Sequence, residues 1–224
     1  LKEDGSLWSW GCNEDYMLGR DTGRKWGSLG KVMDDVAYAT GGMAIKTDGS
    51  LWSWGTNDSG QVGNGTSRTA VTPVKIMEHV SGIWSFGTDG RYRFALTEDG
   101  DLYSWGSNLG WNPLGYEGGN EQFEVKEMGH TIGYISYQTV PRKVDVDDVV
   151  AVSPSSQTTV ILKSDGSLWA CGRNIHLPIT EDKSGLEGLD TFTKFLDGGA
   201  IPEGAAGVSG SGASQDGSQT PSSP

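Results

Sequence analysis

The sequence predicts an all-β protein built from tandem repeats, and three observations lead to this fold class. An eight-residue segment, DGSLWSWG, stands at residues 4–11 and 48–55 and returns in altered form at residues 99–106 and 165–172. Each copy contains Asp-Gly, which is typical of a β-hairpin turn. The chain also has 35 glycines, about twice the usual share, which indicates many turns rather than long helices.

The repeat extends beyond this octet in a constant order. After the octet come an Asn, a Gly-containing segment, a short basic and apolar run, and an acidic link that leads into the next apolar strand. The octets start at intervals of 44, 51 and 66 residues. These boundaries divide the chain into repeat units near residues 4–47, 48–98, 99–164 and 165–197. The recurring asparagines are Asn13, Asn57, Asn108 and Asn174.

The Asp-Gly pair joins two β-rich runs, as in GMAIKT-DG-SLWSWG. Since Gly and Asp tolerate positive φ angles, we predict a hairpin with a type I′ turn at each octet. Pro73 and Pro141 stand at the starts of apolar runs, where a strand tolerates a residue that cannot donate a hydrogen bond.

Both faces of the octet strand carry apolar side chains, with Leu51 on one face and Trp52 and Trp54 on the other. Both faces must therefore be covered, as they are when sheets stack around an axis in a β-propeller. A unit of roughly 50 residues holds four short strands, the size of one blade. We predict an incomplete propeller of about three to four blades, with the tryptophans of the octets packed between the sheets. These tryptophans are Trp8, Trp10, Trp52, Trp54 and Trp105.

The composition narrows the class of partner and the cellular setting. The net charge of −12 argues against binding to nucleic acid or to an anionic membrane, and no apolar run approaches the length of a membrane span. Cys12 and Cys171 form no CxxC pair and are interpreted as small buried side chains, although a disulfide between them is left open. Residues 198–224 are rich in Gly, Ser, Ala and Pro, which predicts a disordered linker or tail.

One segment resembles the regulator of chromosome condensation repeat: DGSLWSWGTNDSGQVGNGTSRTAVTPVKI. The pattern of that family is an Asp-Gly turn, an aromatic strand ending in Trp-Gly, an Asn, a GQLG segment and a Pro-containing strand. The resemblance covers roughly residues 1–175, although the Gly-Gly-x-His that the family commonly carries before the turn is missing. The residues that we assign to the structural repeat are Asp4, Gly5, Trp10, Gly11, Asp48, Gly49, Trp54, Gly55, Asp99, Gly100, Trp105, Gly106, Asp165, Gly166 and Gly172.

The resemblance implies a seven-bladed propeller, which needs roughly 350 residues. The chain starts inside a repeat unit, so we expect it to be part of a longer protein whose remaining blades are missing here. The family includes a nucleotide exchange factor that binds chromatin, a β-lactamase inhibitor and bacterial surface proteins. Because this chain has no basic tail, we do not transfer the exchange or chromatin activities, and expect only the general role of a rigid disc whose loops bind proteins.

Residues that could carry chemistry are few, and we predict no catalytic, cofactor-binding or metal-binding residue. The acidic clusters at Asp34-Asp35, Glu78 and Asp145–Asp148 could offer oxygens to calcium, but their equivalent places in the repeat favour solvated loops. His79, His130 and His176 lack the spacing of metal ligands. The glycosylation sequons at Asn57 and Asn64 fall inside the repeat pattern, which makes chance the better explanation.

The longest unit contains an aromatic insertion. It exceeds the 51-residue unit by 15 residues, and the extra length lies within residues 110–139. An aromatic loop on a rigid scaffold is a common place for protein contacts, with an ordinary covering loop as the other interpretation. The residues predicted to contact a partner are Trp111, Tyr116, Phe123, Tyr134 and Tyr137.

The sequence therefore favours a non-enzymatic protein-interaction scaffold that binds a protein partner and needs no cofactor. It also favours a bacterial origin and an extracellular or cell-surface location, with a cytoplasmic location left open. Two alternatives remain. One is a guanine nucleotide exchange factor or chromatin adaptor of the eukaryotic type, and the other is a carbohydrate-binding surface propeller.

Overall fold

The described part of the protein consists of β-strands joined by turns and loops. The computed structural model describes residues 1–86, 91–108, 112–127, 130–155, 157–173 and 188–199, with the side chains of residues 123–135 left aside. The tail predicted for residues 198–224 lies almost wholly outside this part. None of the described residues forms a helix that is long and apolar enough to cross a membrane.

Fifteen strands make up the described fold. In chain order they are β1 (Leu7–Cys12), β2 (Trp26–Met33), β3 (Val36–Thr40), β4 (Met43–Lys46), β5 (Leu51–Gly55), β6 (Ala70–Met77), β7 (Val80–Phe86), β8 (Tyr92–Thr97), β9 (Leu102–Ser107), β10 (Glu121–Glu127), β11 (His130–Lys143), β12 (Val149–Pro154), β13 (Thr158–Lys163), β14 (Leu168–Gly172) and β15 (Leu189–Leu196).

These strands form four antiparallel sheets. Sheet I is the pair β1-β2, sheet II has the order β3-β4-β5-β6, sheet III has the order β7-β8-β9-β11-β10, and sheet IV has the order β12-β13-β14-β15. The first strand of sheet III, β7, contacts β3 and β4 of sheet II and β12 of sheet IV, so the sheets stack in chain order. The prediction of an all-β, incomplete propeller with four-stranded blades is confirmed.

Each sheet combines the end of one sequence repeat with the start of the next. Sheet II, for example, spans residues 36–77, and its octet strand β5 is the third strand. The Asp-Gly turn therefore connects the second and third strands of a sheet. We call the edge that carries this turn the turn edge, and the opposite edge, where β5 ends at Gly55 and β6 begins at Ala70, the loop edge.

The hairpin at the octet is confirmed, but the predicted turn type is wrong. Gly49 N donates to Lys46 O at 3.0 Å, and Lys46 N donates to Ser50 O at 2.9 Å. Gly49 has a φ of 77°, whereas Asp48 is not among the residues with positive φ. This is a type I turn followed by a left-handed glycine, which makes a three-residue hairpin loop instead of the two-residue type I′ loop.

Apolar side chains fill the space between neighbouring sheets. Leu51 and Met43 of sheet II pack with Ile83 and Trp105 of sheet III. On the other face of sheet II, Trp54 packs with partly buried side chains of sheet I. The alternation of the strand thus sends neighbouring residues to opposite sheets, which is why both of its faces are apolar.

Candidate interaction surfaces

The loop edge of sheets I to III is organised by a buried asparagine after each octet. Asn57 is fully buried; its side-chain oxygen accepts from Val62 N at 2.8 Å, and its amide nitrogen donates to Thr66 O at 2.8 Å and Arg68 O at 2.9 Å. Asn13 and Asn108 make corresponding bonds to Leu18 N and Leu114 N. Each asparagine therefore fixes one loop, which we call the Asn-anchored loop.

Each Asn-anchored loop presents a backbone carbonyl to the next sheet. Trp54 Nε1 donates to Met17 O at 2.9 Å, and Trp105 Nε1 donates to Gln61 O at 2.9 Å. Two residues after the acceptor stands a glycine beneath the indole. A Cβ on Gly19 would lie 2.9 Å from Trp54 Nε1, and one on Gly63 would lie 2.7 Å from Trp105 Nε1. We call this arrangement the indole contact.

The junction between sheets III and IV has no tryptophan at this position. Cys171, which is fully buried, stands where Trp54 and Trp105 stand in their octets, and its Sγ lies 3.5 Å from Pro113 O. Thr159 Oγ1 donates to the same carbonyl at 2.8 Å. The glycine of this loop, Gly115, is instead covered by Phe192, since a Cβ there would lie 2.5 Å from the phenyl ring.

Trp10 occupies the same octet position in sheet I, but its side chain is 68% exposed. The prediction that Trp10 packs between sheets is therefore wrong for the described structure, because no described element covers this face of β1. Trp26 and Leu29 of the same sheet are also exposed, at 69% and 60%.

The other octet tryptophan belongs to a hydrogen-bonded relay at the turn edge. Trp52 Nε1 donates to Ser50 Oγ at 3.0 Å, and Ser50 Oγ donates to Asp48 Oδ1 at 2.5 Å. The hydrogen bonds from Ser50 hold the pKa of Asp48 below its usual value. The same relay occurs at residues 4–8 and 165–169, so Trp8 and Trp52 are only half-buried.

The octet of sheet III lacks this relay because its sequence is DGDLYSWG. Asp101 replaces the serine and forms an ion pair with Lys143, with 2.7 Å between Nζ and Oδ1. Three of the four octets therefore combine a turn with a polar relay, and the remaining one uses an exposed ion pair.

The aromatic insertion forms a two-stranded ribbon at the loop edge. β11 pairs with β9 over residues 137–143 and with β10 over residues 130–137. Residues 121–127 and 130–136, which we call the insertion ribbon, thus extend past the end of β9 by roughly 20 Å, at about 3.4 Å per residue.

The base of the insertion ribbon is tied to two Asn-anchored loops. Thr139 N donates to Asn120 Oδ1 at 2.7 Å, and Gly65 N of the neighbouring loop donates to Thr139 O at 2.8 Å. Thr139 is 1% exposed. Between Gln138 and Arg142 the pairing with β9 shifts, which makes a bulge that contains Pro141.

The predicted contact residues lie in different surroundings. Tyr116 is buried; its hydroxyl donates to Ser104 O at 2.8 Å, and burial raises its pKa. Tyr137 is half-buried at the base of the ribbon and pairs with Ser107. Trp111 and the side chains of Phe123 and Tyr134 lie outside the described residues. The assignment of these five residues to partner binding stays a prediction.

The acidic clusters lie at the turn edge, in the links between sheets. Asp34 pairs with Lys31 at 2.8 Å, and Glu78 pairs with Lys75 at 2.7 Å. Asp35, His79 and Asp148 occupy equivalent link positions and all have positive φ. Within the described ranges, no three His, Cys, Asp or Glu side chains lie close enough together to hold a metal ion.

The sequence reasoning missed one buried cation, Arg93 of β8. It is fully buried, donates to Ser53 Oγ, and reaches Trp54 O at 3.3 Å from its Nη2, so it joins sheet III to sheet II. The equivalent positions in the other sheets hold Gly42 and Thr159, and the repeat pattern therefore gave no signal for it.

The comparisons with known proteins agree with this geometry. Residues 48–91 match the family model described as the regulator of chromosome condensation (RCC1) repeat. No curated protein matches the chain. Three of the solved structures that are similar to it are described below, and because their sequence identity is low they show the fold alone.

The first two of these structures are of yeast Prp20. The structure of yeast RCC1 (Prp20) bound to Kap60 is 21% identical in sequence to this chain, with a TM-score of 0.67. The match covers 88% of this chain and 46% of yeast RCC1. The structure of Prp20p from Saccharomyces cerevisiae, a protein that binds Gsp1p and histones, is 20% identical with a TM-score of 0.66. The match covers 88% of this chain and 48% of Prp20p.

Human WBSCR16 is the third similar structure, at 19% identity and a TM-score of 0.63, covering 86% of this chain and 48% of that one. The chain thus spans just under half the length of the solved proteins that it matches.

Proposed function

We propose that the chain, a partial β-propeller in which residues 48–91 match the regulator of chromosome condensation repeat, is a non-enzymatic scaffold that binds a protein partner through the insertion ribbon. The observation that carries this proposal is the ribbon itself, a two-stranded projection whose base is bonded to two neighbouring loops. Such a base holds the ribbon in one orientation, which lowers the entropy lost on binding.

The buried titratable groups support a structural role. Tyr92, Tyr116 and Cys171 all lie between sheets III and IV, and burial raises the pKa of each. Groups with pKa values raised in this way stay protonated at neutral pH and are poorly suited to accept a proton. Their burial in the core supports packing rather than catalysis.

A shortened ribbon tests the proposal. In this variant residues 123–135 are replaced by a two-residue Asn-Gly turn, which joins the paired residues Gln122 and Ser136 and keeps Asn120, Tyr137 and Thr139 at the base. Proteins captured by the intact chain from an extract of its own organism are identified, and one is purified and titrated against both forms. We expect the shortened form to lose most of its affinity while its urea denaturation midpoint stays close to that of the intact chain.

A double variant on a different loop serves as the control. Glu14 and Lys25 form an exposed ion pair at 2.7 Å in the Asn-anchored loop of sheet I, and their replacement by alanine should leave partner binding unchanged. If the shortened ribbon binds as tightly as the intact chain, the ribbon is not the contact site and the proposal is wrong.

A second candidate is an exchange factor or chromatin adaptor, favoured by the similarity to yeast Prp20. The net charge of −12 would attract a basic protein, and Prp20p binds histones. Binding to purified histones that weakens steeply with salt, or faster nucleotide release from a small GTPase, would support this candidate; the absence of both would remove it.

The carbohydrate-binding alternative depends on Trp111, which lies outside the described residues. Binding on a glycan array that disappears in Trp111→Ala would favour it over the protein scaffold. A bacterial origin and an extracellular or cell-surface location stay predictions of the sequence.

A further inference from the structure

We propose that Asn64, on the Asn-anchored loop of sheet II, is an acceptor site for an asparagine-linked glycan, and that Asn57 on the same loop is not. Both residues begin an Asn-x-Ser/Thr sequence, at residues 57–59 and 64–66, which is the acceptor pattern for this modification. The proposal goes beyond partner binding at the insertion ribbon and does not depend on it.

The first argument is how the fold uses the side-chain nitrogen of Asn57. This residue is fully buried. Its Nδ2 donates to Thr66 O at 2.8 Å and to Arg68 O at 2.9 Å, so both amide hydrogens are in use. An attached sugar would replace one of these hydrogens and would need space that a buried side chain does not have. Asn57 is therefore closed to glycosylation in the folded protein.

The second argument is that Asn64 has the opposite arrangement. It is exposed, together with the other two residues of its acceptor sequence, Gly65 and Thr66. Its Oδ1 accepts hydrogen bonds from Thr66 N at 3.2 Å, from Thr66 Oγ1 at 2.9 Å and from Asn57 Nδ2 at 3.2 Å. Its Nδ2 donates to no group among the described residues. The loop thus holds this side chain by its oxygen and leaves free the nitrogen, which is the atom that carries the sugar.

The third argument is that the repeat pattern does not require an asparagine at position 64. Asn57 is the anchoring asparagine that this loop shares with the loops of sheets I and III, so its acceptor sequence arises from the repeat. Asn64 instead follows the loop glycine, where the other two loops have Arg20 and Tyr116. The interpretation of chance, which rested on the repeat, therefore applies to Asn57 and not to Asn64.

The transfer uses a glycan joined to a lipid through pyrophosphate, and an enzyme that recognises the Asn-x-Ser/Thr sequence. The Asn64 Nδ2 forms a bond to the anomeric carbon of the glycan and loses one proton to a base of the enzyme. The bond from that carbon to the pyrophosphate oxygen breaks, and the lipid pyrophosphate leaves with the bonding electrons. Because Oδ1 is unchanged, the hydrogen bonds from Asn57 and Thr66 remain in the product and the loop keeps its structure.

A glycan on Asn64 would stand beside the base of the insertion ribbon. Gly65 N, one residue further along, donates to Thr139 O at 2.8 Å, and a Cβ on Gly65 would lie 3.5 Å from Val140 Cγ1. The side chain of Val140 is 40% exposed. The glycan would therefore shield an apolar side chain of the loop edge, in line with the solubilising effect of glycans on surface loops.

Expression of the full chain behind a secretion signal in a eukaryotic cell tests the proposal. Digestion with peptide-N-glycosidase in water labelled with heavy oxygen converts each glycosylated asparagine to a labelled aspartate, which mass spectrometry locates. We expect the label at Asn64 and none at Asn57. A sample incubated without the enzyme corrects for spontaneous deamidation at Asn64-Gly65. The chain purified from its own organism is treated in the same way.

Three substitutions separate the two acceptor sequences. Thr66→Ala should abolish the label at Asn64, and Thr66→Ser, which keeps a hydroxyl, should retain it. Ser59→Ala is the matched control, since it removes only the acceptor sequence of Asn57 and should leave the glycan unchanged.

The hydrogen bonds to Asn64 Oδ1 provide a second readout. Since they remain after the reaction, the chain trimmed to one sugar and the chain made without a glycan should have the same urea denaturation midpoint. Label at Asn64 in either preparation supports the proposal. Absence of the label from Asn64 in both preparations, label at Asn57 in the folded chain, or a clearly lower midpoint for the one-sugar chain would overturn it.

Discussion

The junction between sheets II and III and the junction between sheets III and IV follow the same plan but are filled by different side chains. In the first, Trp105 donates to Gln61 O and lies over Gly63. In the second, Cys171 takes the place of the tryptophan, and Phe192 from β15 covers the equivalent glycine. The acceptor carbonyl and the glycine are thus kept at both junctions. At the second junction, however, Thr159 of β13 donates to the carbonyl and Phe192 of β15 covers the glycine.

This difference shows which part of the repeat is geometrically fixed. The Asn-anchored loop fixes the positions of the carbonyl and the glycine. A neighbouring sheet can donate a hydrogen bond to the carbonyl and cover the glycine with different side chains. We therefore expect the loop glycine and the tryptophan to be the sensitive positions at the first junction, and the pair Cys171 and Phe192 at the second.

The largest effect is expected for Trp105→Ala at the first junction. Trp105 is 0% exposed, so its removal leaves a cavity and an unpaired Gln61 carbonyl, and should cost about 3–5 kcal/mol of unfolding free energy. Urea denaturation followed by circular dichroism measures this. Trp10→Ala is the control: Trp10 is 68% exposed, and its loss should change stability by less than about 0.5 kcal/mol. Equal effects of the two changes would contradict the indole contact as a source of stability.

The next effect is expected for Gly63→Ala, with Gly100→Ala as a matched control. Both glycines have a φ of +86°. Both changes should therefore lower the free energy of unfolding by the same amount through backbone strain, about 1 kcal/mol. At Gly63 the new Cβ would also lie 2.7 Å from Trp105 Nε1, whereas at Gly100 nothing lies within 4 Å. We expect Gly63→Ala to cost a further 1–3 kcal/mol, roughly, because the indole must move. If both variants lose the same stability, the close approach of the ring is not needed.

The second junction can be converted toward the first. Cys171→Trp alone should destabilise by about 1–3 kcal/mol, since the site is already filled by Phe192. In a Phe192→Ala background the same change should be stabilising, because the indole could then reach Pro113 O and lie over Gly115. A double-mutant cycle by urea denaturation gives the coupling between the two positions. Additive effects would mean that Cys171 and Phe192 do not share one space.

The smallest effect concerns the relay at the turn edge and depends on pH. The pKa of Asp48 is lowered from 3.8, first by the hydrogen bond from the Ser50 hydroxyl and then by the hydrogen bond from the Ser50 backbone amide. A carboxylate with a lowered folded pKa contributes stability that is fully present above the unfolded pKa and is lost as the pH falls below about 3.8 toward the folded value.

Ser50→Ala should therefore raise the pKa of Asp48 toward its ordinary value and make the acid loss of stability smaller. The titration of the Asp48 carboxyl by NMR and urea denaturation between pH 2 and 6, roughly, provide the two readouts. Asp165, whose pKa is lowered in the same way by its own Ser167, is the internal reference and should titrate alike in both proteins. An unchanged Asp48 titration in Ser50→Ala would show that the serine hydroxyl does not stabilise the carboxylate.

Much of the architecture could be predicted from local patterns. The octet, with Leu51 and Trp54 on opposite faces, predicted a strand covered on both sides, and the clusters on either side of sheet II confirm this. The Asp-Gly pair predicted the hairpin at Gly49, since a glycine in the left-handed region is a local requirement. The turn type was wrong because it depends on how the two strands pair, and Asp-Gly fits more than one hairpin loop.

The candidate contact surface could be located but not described from the sequence. The excess length within residues 110–139 showed where the repeat is interrupted, and this is where the insertion ribbon projects. Its fixed base could not be predicted, because it depends on Thr139 meeting Gly65 of the preceding loop. Tyr116 looked like a contact residue by type and position, but the structure places its ring in the core, where Arg142 lies 4.1 Å from the ring centroid.

The sequence by itself determined the repeating strand, its turn and the asparagine that follows, because hairpin geometry and alternation are local properties of the chain. Only the tertiary structure decided what each octet tryptophan does. Trp54 and Trp105 are buried because an Asn-anchored loop of the preceding sheet covers them, and Trp10, with the same neighbours in sequence, is exposed because no described sheet lies against it. Burial is a property of the surrounding surface, and identical octets therefore give different environments.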